Sequence, residues 1–113
     1  MTDISKIEQA RQKTIRAINK RRGYFYCNHK VKYHGCNQGM SLAIALIESY
    51  TMHFDTPIEA IEGWREVIKH ELKRNWGAHQ EGYREINRGL IEAKKAVRTL
   101  IEFVRACRKG EGR

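Results

Sequence analysis

Cys27, His29, His34 and Cys36 all fall in the short stretch Gly23–Cys36, and they are the residue types that ligate zinc. The stretch alternates aromatic and polar residues, with Tyr24, Phe25 and Tyr26 before Val31 and Tyr33, a pattern of two short extended segments. Paired as a β-hairpin with Lys30–Tyr33 as the bend, these segments would set Cys27 opposite Cys36 and His29 opposite His34. Side chains alternate faces along a strand, so all four would project from one face of the ribbon. Four protein ligands close a zinc site, so the expected chemistry is structural: one zinc ion joining strands too short to be stable alone. The spacing is unusual, because structural sites separate paired ligands by about two to four residues and here the interval is one. A Cys27–Cys36 disulfide, or an aromatic turn with small buried cysteines and polar histidines, uses the same residues without metal.

The same stretch is strongly cationic. The 113 residues hold 22 Lys and Arg against 13 Asp and Glu, a formal charge of +9. Between Glu8 and Glu48 there is no acid, while Arg11, Lys13, Arg16, Lys20, Arg21, Arg22, Lys30 and Lys32 supply +8. A charge excess confined to one third of a small domain makes a single-signed face that attracts a polyanion. With Tyr24, Tyr26 and Tyr33 nearby, the combination suits single-stranded nucleic acid, in which cations neutralise phosphates and rings stack on unpaired bases. Duplex would instead meet the basic side of the first helix. A solvated basic surface around core aromatics is the bland alternative.

Catalysis has little to stand on. Glu66 and His70 lie four apart, yet there is no His-Glu-x-x-His, and such a pair on a helix is commonly a surface pair. His53 follows an apolar helix and His79 stands alone. Ser41 and Ser49 lack a nucleophile-elbow context, and no glycine-rich loop is built to cradle phosphate. A metal-dependent nuclease centred on His29 and His34 is weak, because the acid-free interval provides no carboxylate for a divalent ion.

Helical patterns surround the stretch. Residues 3–22 place Ile4, Ile7, Ile15 and Ile18 on one stripe, bordered by Ala10 and Ala17, with the cations largely off it. Residues 23–39 form the expected hairpin, closed by Asn37-Gln38-Gly39. Residues 40–53 are apolar nearly all round (Met40, Leu42, Ile44, Leu46, Ile47), which predicts a buried central helix. Thr56 and Glu59 match a capping box, with Pro57 at the first helical position. The helix they open, residues 57–75, puts Ile58, Ile61, Trp64, Ile68 and Leu72 on one face. In residues 79–109, Tyr83, Ile86, Leu90, Ala93, Val97, Leu100, Val104 and Cys107 recur at steps of three and four, a heptad seam widened by Ile91, Ile101 and Phe103. This pattern assigns Cys107 to the core and makes the 83–107 seam available for intramolecular packing or a homodimer.

The expected fold is a single domain over residues 1–113: mainly α, three or four helices around residues 40–53, with a β-hairpin insertion after the first helix. Three cysteines and an N-terminus without a basic-then-apolar order predict a cytoplasmic setting, and no apolar run predicts a membrane span. The expected function is a non-enzymatic nucleic-acid-binding or accessory protein. The alternative is an inhibitor or adaptor, of phage or mobile-element type, that docks its basic face on an acidic or nucleic-acid-binding groove of a larger enzyme.

Overall fold

The computed structural model describes residues 4–28, 33–49, 53–76 and 81–111, all but a short entry to the third helix being helical. The helices are α1 (Ile4–Asn28), α2 (Tyr33–Ser49), α3 (Pro57–Trp76) and α4 (Glu81–Glu111). No strand occurs among the described residues. The mainly α bundle is as expected; the hairpin is not. α1 continues unbroken through Gly23 to Asn28, and α2 begins at Tyr33, ahead of Gly39. Isolated two-stranded ribbons are marginal in water, whereas each residue added to a helix gains a backbone hydrogen bond within its own segment. The aromatic alternation in residues 24–33 is therefore overridden by helix continuation. Residues 29–32 lie outside the described residues.

The core runs along all four helices. α1 contributes Ala10, Ile15 and Ile18, and α2 contributes Met40, Ala43 and Ile47. α3 supplies Ala60, Ile61, Trp64, Ile68 and Leu72, and α4 supplies Leu90, Ala93, Val97 and Ile101. Thr14, also fully buried, satisfies its hydroxyl by donating to the Ala10 carbonyl at 2.7 Å. Phe54, just ahead of α3, folds back so that its ring lies over Gly63 and meets Trp64 edge-on at 5.7 Å. α3 is capped by Thr56, whose hydroxyl accepts the Glu59 amide hydrogen at 3.3 Å.

The central element is α4, not residues 40–53. α4 has the largest interfaces with its neighbours, the widest being with α2. Its 31 residues span about 46 Å at 1.5 Å per residue, nearly the whole 48 Å length of the molecule. α2 is one-sided: Met40, Ala43 and Ile47 are buried, Leu42, Ile44 and Leu46 are half-buried, and Ser41, Ala45, Glu48 and Ser49 face water. Its apolar excess broadens one face rather than enclosing the helix.

Two glycines fix the α2–α4 contact. A β-carbon at Gly39 would stand 2.1 Å from the Ile86 carbonyl oxygen, 2.7 Å from Gly89 Cα and 2.9 Å from Leu90 N. Backbone therefore lies against backbone here, a separation open only to residues without a side chain. Gly39 is a packing residue inside a helix and not a breaker.

The heptad seam is consumed by this bundle over Leu90, Ala93 and Val97. It weakens toward the end of α4. Cys107, expected in the core, is exposed, and Phe103 points mostly into solvent with 65% of its surface accessible. The cause is local: the three other helices bury the 90–101 portion, and a pattern that continues past it has nothing left to face.

Candidate nucleic-acid interface

The six described cations of the acid-free interval, Arg11, Lys13, Arg16, Lys20, Arg21 and Arg22, divide into structural and solvent-facing sets. Arg11 packs its guanidinium over the Trp64 ring, 5.5 Å from the centroid. That cation–π contact ties α1 to α3 and is worth about 0.5–2 kcal/mol. Arg21 donates from both Nε (2.9 Å) and Nη2 (2.7 Å) to one carboxylate oxygen of Glu92 on α4. The Glu92 side chain is only 9% exposed, so this charge-assisted pair clamps α1 to α4 where little water competes. Lys95 completes the cluster with Nζ 3.4 Å from the other Glu92 oxygen. Arg22 donates to the Ser41 hydroxyl at 2.7 Å, joining α1 to α2. These three arginines hold helices together and are poor candidates for contacting phosphate.

Lys13, Arg16 and Lys20 are the exposed remainder on α1, and none makes an ion pair among the described residues. At steps of three and four they form one outward row. Lys30, Lys32 and His29 lie outside the described residues, as do the side chains of Tyr24, Tyr26, Cys27, Tyr33, His34 and Cys36. The zinc hypothesis nevertheless loses its scaffold, since the strand pairing that was to set Cys27 opposite Cys36 is replaced by two helices. Among the described residues no group of three or more His, Cys, Asp or Glu could hold a metal ion.

The sequence pattern missed a second basic row. Arg84, Arg88, Lys95 and Arg98 share the outer face of α4, opposite the apolar seam, and all four are exposed. Arg98 pairs with Glu102 at 3.3 Å on the same face. Counting net charge along the segment hides this row, because Glu92 is tallied against it although its carboxylate turns inward to Arg21. The helical register of the four cations was the available signal.

Where α1 and α4 meet, Lys20 of the first row and Lys95 and Arg98 of the second flank one groove of about 830 Å³. Ala17, Ala96 and Leu100 form its apolar surface, Lys20 and Arg21 line the α1 side, and Lys95 and Arg98 line the α4 side. Phe103 stands at one end. α1 runs antiparallel to α4: Arg21 meets Glu92, while Arg11 lies at Trp64, near the level where Glu62 of α3 bonds Arg105 of α4. Among the described residues Glu102 is the sole acid lining the groove, and Arg98 pairs with it.

The chain matches no protein-family model, no curated protein and no solved structure. No described helix is long and apolar enough to cross a membrane.

Proposed function

We propose that this is a small non-enzymatic nucleic-acid-binding protein, working in the cytoplasm, that holds the phosphate backbone along the α1/α4 face. The observation that carries this reading is the pair of exposed cationic rows, Lys13–Arg16–Lys20 on α1 and Arg84–Arg88–Lys95–Arg98 on α4, of which Lys20, Lys95 and Arg98 line one groove. Exposed ammonium and guanidinium groups in rows can neutralise successive phosphates, which is the source of counterion release from a polyanion. Arg11, Arg21 and Arg22 support the reading only indirectly, by fixing the helices that present the rows.

The test is binding of labelled single-stranded and duplex oligonucleotides across a salt series, with wild type beside Lys13→Ala/Arg16→Ala/Lys20→Ala. Those three side chains carry no packing role, so the variant keeps its fold. Three lost phosphate contacts should lower the slope of log affinity against log salt by about 2–3. Absence of saturable, salt-dependent binding by wild type would overturn the proposal and leave an acidic protein surface as the partner of the basic face.

A further inference from the structure

Phe103 is the one large hydrophobic side chain exposed among the described residues, and it projects at one end of the cation-flanked groove. An exposed ring gains nothing for the fold. With Arg98 about 7.5 Å away along α4, and Lys95 and Lys20 farther along the groove, it has the surroundings of a stacking platform: a planar apolar face at the end of a cationic track that can hold the phosphates of one strand. Building on the nucleic-acid reading, we infer that the groove binds single strands selectively, with one unpaired base stacked on Phe103 at its end and the phosphates that lead away from that base held in turn by Arg98, Lys95 and Lys20.

Three features favour this occupant over an acidic amphipathic helix. The α4 side of the groove, residues 95–103, covers about 12 Å at 1.5 Å per residue, only some two helical turns. A docked helix needs several apolar anchors spaced along such a groove, and here only Phe103 projects, since Ala17 and Ala96 are small and Leu100 is half-buried. The charges line both walls and the ring stands at one end of them, which suits a chain whose phosphates lead away from a planar base. A duplex offers the same phosphates but keeps its base faces stacked internally, out of reach of the ring.

Affinities of wild type, Phe103→Ala, Phe103→Leu and Phe103→Trp would be measured by fluorescence anisotropy for three probes: a homopolymeric single strand, the same strand carrying abasic sites throughout, and a duplex. Phe103 is exposed, so none of the substitutions perturbs the core. The single strand should bind Phe103→Ala about 5- to 150-fold more weakly, the range for losing one base–aromatic stack. Phe103→Leu should be nearly as weak, and Phe103→Trp should equal or exceed wild type. The abasic strand and the duplex should be indifferent to all three substitutions. Equal loss on the abasic strand, or full affinity in Phe103→Ala on the normal one, would overturn the stacking proposal while leaving backbone binding intact. If no probe shows saturable binding, the underlying nucleic-acid reading falls, and the stacking role with it.

Discussion

Replacing Gly39 by alanine should separate α2 from α4 at the tightest point of the bundle. The added methyl would lie 2.1 Å from the Ile86 carbonyl oxygen and 2.7 Å from Gly89 Cα, where ordinary non-bonded separations are about 3.5 Å. Every atom it meets is backbone, so no side chain can swing aside, and α2 must retreat by about 1 Å or more. Met40 and Ala43, fully buried beside the contact, would lose packing on the same movement. Overpacking of this kind costs about 1–3 kcal/mol and occasionally more, and the absence of any yielding group puts Gly39 at the upper end. The intrinsic preference of helix for alanine returns about 1 kcal/mol, leaving a net loss of about 2 kcal/mol. In a domain of this size that lowers Tm by about 10 °C. Gly23→Ala is the matched control: it is helical and exposed, and a β-carbon there meets nothing within 4 Å. It should gain about 0.5–1 kcal/mol and raise Tm by a few degrees. Thermal melts followed by circular dichroism at 222 nm read both. An unchanged or raised Tm in Gly39→Ala would refute the backbone contact.

Further outcomes follow from the side chains already placed. Arg21→Ala should destabilise the fold by about 1–3 kcal/mol, since it removes both hydrogen bonds to one oxygen of the largely buried Glu92 carboxylate and leaves it only the longer contact with Lys95, whereas Lys20→Ala one residue earlier should be neutral; urea unfolding distinguishes the two. Equal effects would show that the clamp contributes nothing. Trp64 is fully buried, yet its indole N–H has no hydrogen-bond partner among the described residues. Trp64→Phe removes that orphan donor, so it should lose less than half as much stability as Trp64→Ala, which should cost about 3–5 kcal/mol in the same unfolding assay.

The α3 and α4 patterns were legible because burial follows a strict 3.6-residue period there: Ile61, Trp64, Ile68 and Leu72, and then Leu90, Ala93 and Val97, are buried as their spacing predicts. The hairpin was misread because aromatic alternation in residues 24–33 resembles a strand locally, while the deciding energy is the helical continuity of residues 23–28 and 33–39. Gly39 was mistaken for a break, because a residue that permits close approach is spelled the same way as one that ends a helix. Site residues fared similarly. The acid-free interval pointed correctly to a basic α1, but residue type could not say that Arg11, Arg21 and Arg22 turn inward to Trp64, Glu92 and Ser41. Phe103 was assigned to the seam because sequence period carries no information on where the neighbouring helices run out.

The Arg21–Glu92 clamp joins positions 71 residues apart, and the groove beside it takes its two walls from the first and last helices. During synthesis, α1 emerges with Lys13, Arg16 and Lys20 already displayed, yet no groove exists until α4 has been made and docked. Early in its life the chain can attract polyanions only loosely, through bare charge. On the proposed reading, discriminating recognition would arrive last, with the completed fold. A ligand in the groove then engages only the folded state and would resist release of α1 from α4, adding about 2.7 kcal/mol of stability at a hundred times its Kd. Occupancy and structural integrity would rise together, so protease resistance of the α1–α4 junction becomes a readout of binding.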